Sequence, residues 1–245
     1  MSYQKFVILS SNRSGTNWLI TLLNSHPHVR VLRECFNPEY CYSFPHISSI
    51  EPRLFTSLRD TFPLLFLRLH VYKPYQQEIR AVGFKLMYTQ AKYGRASRVW
   101  TWLSGNPNVK IIHLKRTNLL ASYVSMLLTV KTHLFMATSA AQVHPTRLTI
   151  NPEDCRKYFI VVSAQQQYYD HFFQNNDMLS VTYENLASNR EKQTSAMLLF
   201  LKLPQTQLTS SLIKLNSSPL SYTIKNYKSL KQRFQKTEWS RFFSE

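Results

Sequence analysis

The chain has 245 residues and 44% hydrophobic content, enough to bury a full core, and its 30 Lys plus Arg against 13 Asp plus Glu give a formal net charge of +17. The cations are spread from Lys5 to Arg241 rather than gathered in a tail, which points to an anionic ligand or surface: nucleic acid, anionic lipid, a sulfated or phosphorylated sugar, or a polyphosphate nucleotide. Cys35, Cys41 and Cys155 have no metal-like spacing, so they support neither a disulfide framework nor a zinc site, and a reducing, cytoplasmic setting is expected.

The first segment, KFVILSSNRSGTNWLITLLN, is the most informative. The apolar run Phe6, Val7, Ile8, Leu9 reads as a buried strand, and with no basic n-region or apolar h-region before it a cleaved signal is not expected. It stops at a polar turn holding Arg13, Ser14, Gly15 and Thr16, and an amphipathic helix follows over residues 16–24. A strand, a turn and a helix N-terminus in that order present backbone N–H groups and a guanidinium to an anion, as phosphate sites of α/β proteins do. The Walker Gly-Lys pair is absent, which argues against ATP hydrolysis.

Further strands are expected at residues 29–32, Ala81–Met87, 109–114 and 178–183, separated by helical patterns at 53–69, 97–103, 119–129, 152–174, 190–201 and 206–215. That alternation implies βαβ units, a mainly parallel sheet flanked by helices, and one domain over residues 1–245. The helix from Pro152 has a cap in Asn151 and dipole-compatible acids in Glu153 and Asp154. Residues 134–150 are polar and irregular, suiting a loop over a site. The apolar stretches at 62–72 and 119–130 fall short of the roughly 20 residues that cross a bilayer, leaving at most peripheral contact with an anionic membrane.

The strand at 109–114 leads into Lys115, Arg116 and a helix carrying Ser122 and Ser125. Ligands of open parallel sheets bind at the strands' C-terminal ends, so this segment and the first turn should open on one side, where a ligand with two anionic groups could bridge them.

SNRSGTNWL resembles the 5′-phosphosulfate loop of the sulfotransferases that use 3′-phosphoadenosine 5′-phosphosulfate (PAPS), and HLKRTNLLASYVS is similar to their 3′-phosphate segment. VGFKLM and VTYENL resemble two further strand motifs of bacterial members, in the family's order. The likeness is to the bacterial carbohydrate enzymes of the nodulation-factor and trehalose type. It implies a three-layer, P-loop-like α/β fold, PAPS as donor, adenosine 3′,5′-bisphosphate (PAP) as product, no metal, and a carbohydrate or glycolipid acceptor. Arg13, Ser14, Gly15, Thr16, Asn17 and Trp18 should then surround the 5′-phosphosulfate, and Arg116 with Ser125 the 3′-phosphate, with Ser122 as rival to Ser125.

Sulfuryl transfer leaves the protein positioning and charge stabilisation, with Arg13 the candidate for charge on the leaving oxygen, and it needs a base for the acceptor hydroxyl. By the resemblance that base is Glu34, in a segment where family members carry Gly-Glu and this chain has Arg33-Glu34; His28 and His113 are alternatives. Lys85 is expected to reach donor or acceptor, Tyr183 to stack on or edge the adenine, and Lys225 or Lys228 to help hold the 3′-phosphate. A P-loop kinase would need a Walker lysine and an acidic magnesium ligand. A specific nucleic-acid binder would need a recognition module, and none is legible. A third alternative is a fold of this kind that binds nucleotide or glycan without turnover.

Overall fold

The computed structural model describes residues 3–38 and 52–244. Five strands, β1 (Gln4–Ser10), β2 (Val29–Glu34), β3 (Ala81–Met87), β4 (Val109–Lys115) and β5 (Met178–Thr182), form one sheet of order β2-β3-β1-β4-β5 in which every pairing is parallel. The strands at its centre are buried along nearly their whole length, as expected of parallel strands covered on both faces.

Helices cover both faces. One core layer packs the sheet against α2 (Pro52–Thr61), α3 (Pro63–Phe66), the π-turn at Leu67–Val71, α4 (Arg98–Ser104) and the C-terminal end of α6 (Pro152–Phe172). The other packs it against α1 (Thr16–Asn24) and α8 (Arg190–Phe200), with α7 (Tyr183–Ser188) between β5 and α8. A third cluster joins α5 (Leu119–Thr132) and α6 to α9 (Leu220–Thr223) and α10 (Tyr227–Phe234).

Two expectations about elements are corrected. The helix expected over 53–69 is divided at Pro63: Phe62, held at φ −127° and ψ 61°, leaves the helical region before the proline, and the run ends in the π-turn. The helix expected over 206–215 does not form. Leu208, Leu212 and Leu215 have helical spacing, yet the chain is irregular there and is tied by side chains. Thr209 N–H donates to Ser25 Oγ at 3.0 Å, Ser210 Oγ meets Thr21 Oγ1 at 2.6 Å, and Ile213 N–H donates to the Ala137 carbonyl at 2.9 Å. Cys41 lies outside the described residues.

Candidate active site

The site is built at the C-terminal edge of β1, β3 and β4. The turn after β1 holds two successive left-handed features, Arg13 at φ 61° and Gly15 at φ 84°, and Gly15 is the N-cap residue of α1. A Cβ on Gly15 would stand 2.4 Å from Tyr183 Cδ2, so the glycine is required both by its φ and by the ring laid over it. Arg13 is not a glycine and bears the left-handed cost, and its carbonyl accepts from Arg116 Nη1 at 3.1 Å. Inside the turn, Ser14 Oγ meets Ser11 Oγ at 2.7 Å and Thr16 Oγ1 meets Ser10 Oγ at 2.8 Å.

A cleft of about 550 Å³ opens over this turn. Of the expected residues, Arg13, Gly15, Thr16, Asn17, Trp18, Lys85, Arg116, Ser125 and Tyr183 line it. Ser14 is buried beneath, and Ser122 is buried on α5 against the Tyr158 hydroxyl at 2.8 Å. Residues 135–137, from the irregular stretch expected over the site, form part of the wall. Lys225 and Lys228 are exposed and are not among the lining residues; the lysine on that wall is Lys214, in the segment expected to be helical.

Arg13 and Arg116 hold the guanidinium end. Arg13 Nε donates to Ser125 Oγ at 3.2 Å and its Nη1 to the Phe135 carbonyl at 3.3 Å. Arg116 stacks over the Tyr183 ring at 4.6 Å, and its Nε is buried with no hydrogen-bond partner among the described residues. Burial lowers the pKa of both groups, and Arg116 lowers that of Arg13 further. Two cations in a sheltered cleft, one with an orphan donor, call for an anion. Glu184 shapes this end without entering it: its carboxylate accepts from the N–H groups of Thr117 and Asn118 at 3.0 and 2.9 Å, while the Asn118 side chain caps α5. Glu184 stands in the VTYENL stretch, but nothing in its spacing announces that contact.

Glu34, the expected base, is not among the lining residues; it is joined to the cleft through Lys85, which is. Glu34 Oε1 accepts from Lys85 Nζ at 2.7 Å, and Glu34 Oε2 accepts from Asn37 Nδ2 at 2.9 Å and Gln90 Nε2 at 2.8 Å. Lys85 Nζ also donates to Asn17 Oδ1 at 3.2 Å, which connects this pair to the first turn. Burial works to raise the Glu34 pKa, but Lys85 and the amide donors outweigh it and hold the carboxyl below its ordinary value. Burial lowers that of Lys85, with Glu34 opposing. Gln90 is a residue sequence reasoning missed. Its Oε1 accepts from the Met87 N–H at 3.1 Å, which fixes the amide so that nitrogen faces Glu34. Beside it, Ala91 has φ 51°.

The histidines lie elsewhere. His28 precedes β2 at the opposite edge of the sheet, its Nδ1 2.7 Å from the Glu78 carbonyl oxygen. His113 is buried in β4 between the Tyr88 hydroxyl and Asp170, whose Oδ1 is 2.9 Å from its Nδ1, and does not line the cleft. Burial pulls its pKa down to about 4, against the pull of Asp170.

An all-parallel sheet with a left-handed turn carrying a guanidinium after its first strand, and a second cation at the end of the neighbouring strand, is a P-loop-like α/β arrangement. The chain belongs to the sulfotransferase family, whose sequence model matches residues 5–207. It is similar to Nodulation protein H of Rhizobium meliloti (strain 1021), 27% identical over 98% of this chain and 95% of that protein. It is also similar to Nodulation protein H of Rhizobium tropici, 24% identical over 99% and 94%. Among solved structures, the sulfotransferase from Alicyclobacillus acidocaldarius shares the fold at a TM-score of 0.53 and 16% identity, covering 96% of this chain and 92% of that one. Family membership makes the chemistry sulfuryl transfer and implies PAPS as donor and PAP as product. Among the described residues no helix is long and apolar enough to cross a membrane.

Proposed function

We propose that this protein transfers the sulfuryl group of PAPS to a hydroxyl of a carbohydrate or glycolipid, with the cleft around Arg13 and Arg116 as the nucleotide site and the Glu34–Lys85 pair beside it as the acceptor site. The observation that carries this reading is Arg116: a buried guanidinium with an orphan Nε, stacked on Tyr183 and facing a cleft shared with Arg13 and Ser125. A nucleotide 3′-phosphate would supply the missing acceptor in a charge-assisted, fork-like contact.

Arg13, Gly15, Thr16, Asn17 and Trp18 would surround the 5′-phosphosulfate, Arg116 and Ser125 the 3′-phosphate, and Tyr183 an adenine edge; Lys214 is better placed than Lys225 or Lys228 to add a cation. PAPS supplies an activated sulfuryl group on a phosphate leaving group. Arg13 offsets the negative charge that builds on the leaving oxygen. Glu34, ionised by its surroundings, takes the acceptor proton at an oxygen now shared with Lys85, so Lys85 must yield that oxygen as the proton arrives. In-line displacement asks that Glu34 and the acceptor approach the sulfur opposite the leaving oxygen that Arg13 faces.

The carbohydrate or glycolipid acceptor is supported by the sequence's resemblance to nodulation-factor and trehalose enzymes and by likeness to Nodulation protein H over nearly the full chain. The test is incubation with PAPS and a panel of oligosaccharides and glycolipids, read by mass spectrometry. Sulfated product and released PAP are expected; PAP binding without product from any acceptor would leave a nucleotide-binding protein in place of an enzyme.

A further inference from the structure

The run from α2 through the π-turn is apolar on two sides. Phe55, Phe66, Leu67 and Val71 are buried in the core, with Arg59 buried beside them. Leu58, Phe62, Leu65 and Leu69 recur at spacings of four, three and four, and they are 43%, 50%, 47% and 52% exposed, with Leu64 at 38%. Phe62 N–H donates to the Leu58 carbonyl at 2.8 Å and Phe66 N–H to that of Phe62 at 2.9 Å, closing one helix and opening the next on either side of the break. Single exposed leucines need no explanation, but five large apolar side chains within twelve residues form a patch that water covers at a cost.

Charge decides what fits it. Arg68 and Lys73 are exposed within and just beyond the run. Among the described residues of the run the acid is Asp60, and it is engaged by Arg59, Nε to Oδ1 at 2.7 Å and Nη2 to Oδ2 at 2.8 Å. A second copy would bring +17 against +17, whereas an anionic bilayer attracts the same cations while accepting the leucines. The location has a consequence for catalysis as well. From the buried side of α2, Arg59 Nη1 donates to the carbonyls of Cys35 and Asn37, at 3.3 and 2.7 Å, in the turn that follows Glu34.

We propose that the Leu58–Leu69 face, with Arg68 and Lys73, docks the protein on the surface of an anionic lipid bilayer and presents the Glu34–Lys85 pair to acceptors carried there. The docking stands on the patch and its charge; its bearing on a glycolipid acceptor rests on the function proposed above.

The experiment is vesicle flotation of the full chain with phosphatidylcholine alone and with about one part in four phosphatidylglycerol. Wild type should float only with the anionic vesicles. The triple variant Phe62→Ser, Leu65→Ser, Leu69→Ser should bind them about tenfold or more weakly, with thermal stability and PAP affinity unchanged. A Phe62→Trp variant, conservative in size and exposure, should shift its fluorescence to the blue on the same vesicles. Absence of flotation, flotation that the triple variant leaves intact, or a wild-type dimer in sedimentation that the triple variant dissolves would each overturn the proposal, the last assigning the face to a second copy. PAP titration of the same samples reads the nucleotide site separately, so failure of docking and failure of the sulfotransferase reading are told apart.

Discussion

Arg13 and Arg116 line the cleft in each other's field with a donor left over, while Lys85, on the same cleft, is matched to Glu34 behind its lining in a pair further fixed by Asn37, Gln90 and Asn17. The guanidinium end is incomplete by itself and is finished by an anion. The Glu34–Lys85 pair is complete, and it must give up a hydrogen bond before Glu34 can receive a proton. An unsatisfied site binds and a saturated one waits, so the two should respond differently to substitution, salt and pH.

The largest effect is expected at the saturated pair. Glu34→Gln should lower kcat by about 10²–10⁴-fold with little change in PAP affinity, because the amide keeps the volume and loses the base. Comparable loss in both quantities would make Glu34 a structural partner of Lys85 instead. Arg116→Ala should weaken PAP by about 100-fold, read from quenching of the cleft-lining Trp18.

Acid should act on the buried pairs rather than on the guanidiniums. His113 is held near a pKa of about 4, below its unfolded value, so the unfolded chain binds more protons between these values and stability rises with pH across that window. Unfolding in urea should show about 2 kcal/mol lost between pH 7 and pH 4.5, and His113→Gln should remove most of that slope. Glu34 has the depressed carboxyl's sign: its contribution is present above the unfolded value and fades as pH falls through the lowered folded one. The smallest effect is Gly15→Ala, expected to destabilise by about 1–3 kcal/mol through its left-handed φ and the Tyr183 contact, and to loosen the nucleotide by moving that ring.

Legibility in the sequence followed locality. The strands and α1 are short runs whose apolar pattern and flanking turn lie in one stretch of chain, and Arg13, Gly15 and Arg116 sit at strand ends where a parallel sheet puts its ligands. Residues that act across the fold left no such trace. Gln90 meets Glu34 across 56 positions, and Glu184 meets Asn118 across 66. Lys214 faces the cleft from a segment whose leucines imitate a helix. A backbone held by hydroxyl side chains and neighbouring loops overrode that periodicity, which no count along the chain could foresee.

If a nucleotide 3′-phosphate completes Arg116, calorimetric titration will separate PAP from AMP, which lacks that phosphate. PAP should bind at least about 100-fold tighter than AMP, with the difference abolished in Arg116→Ala. Equal affinities, or a preference that survives the substitution, would contradict that pairing.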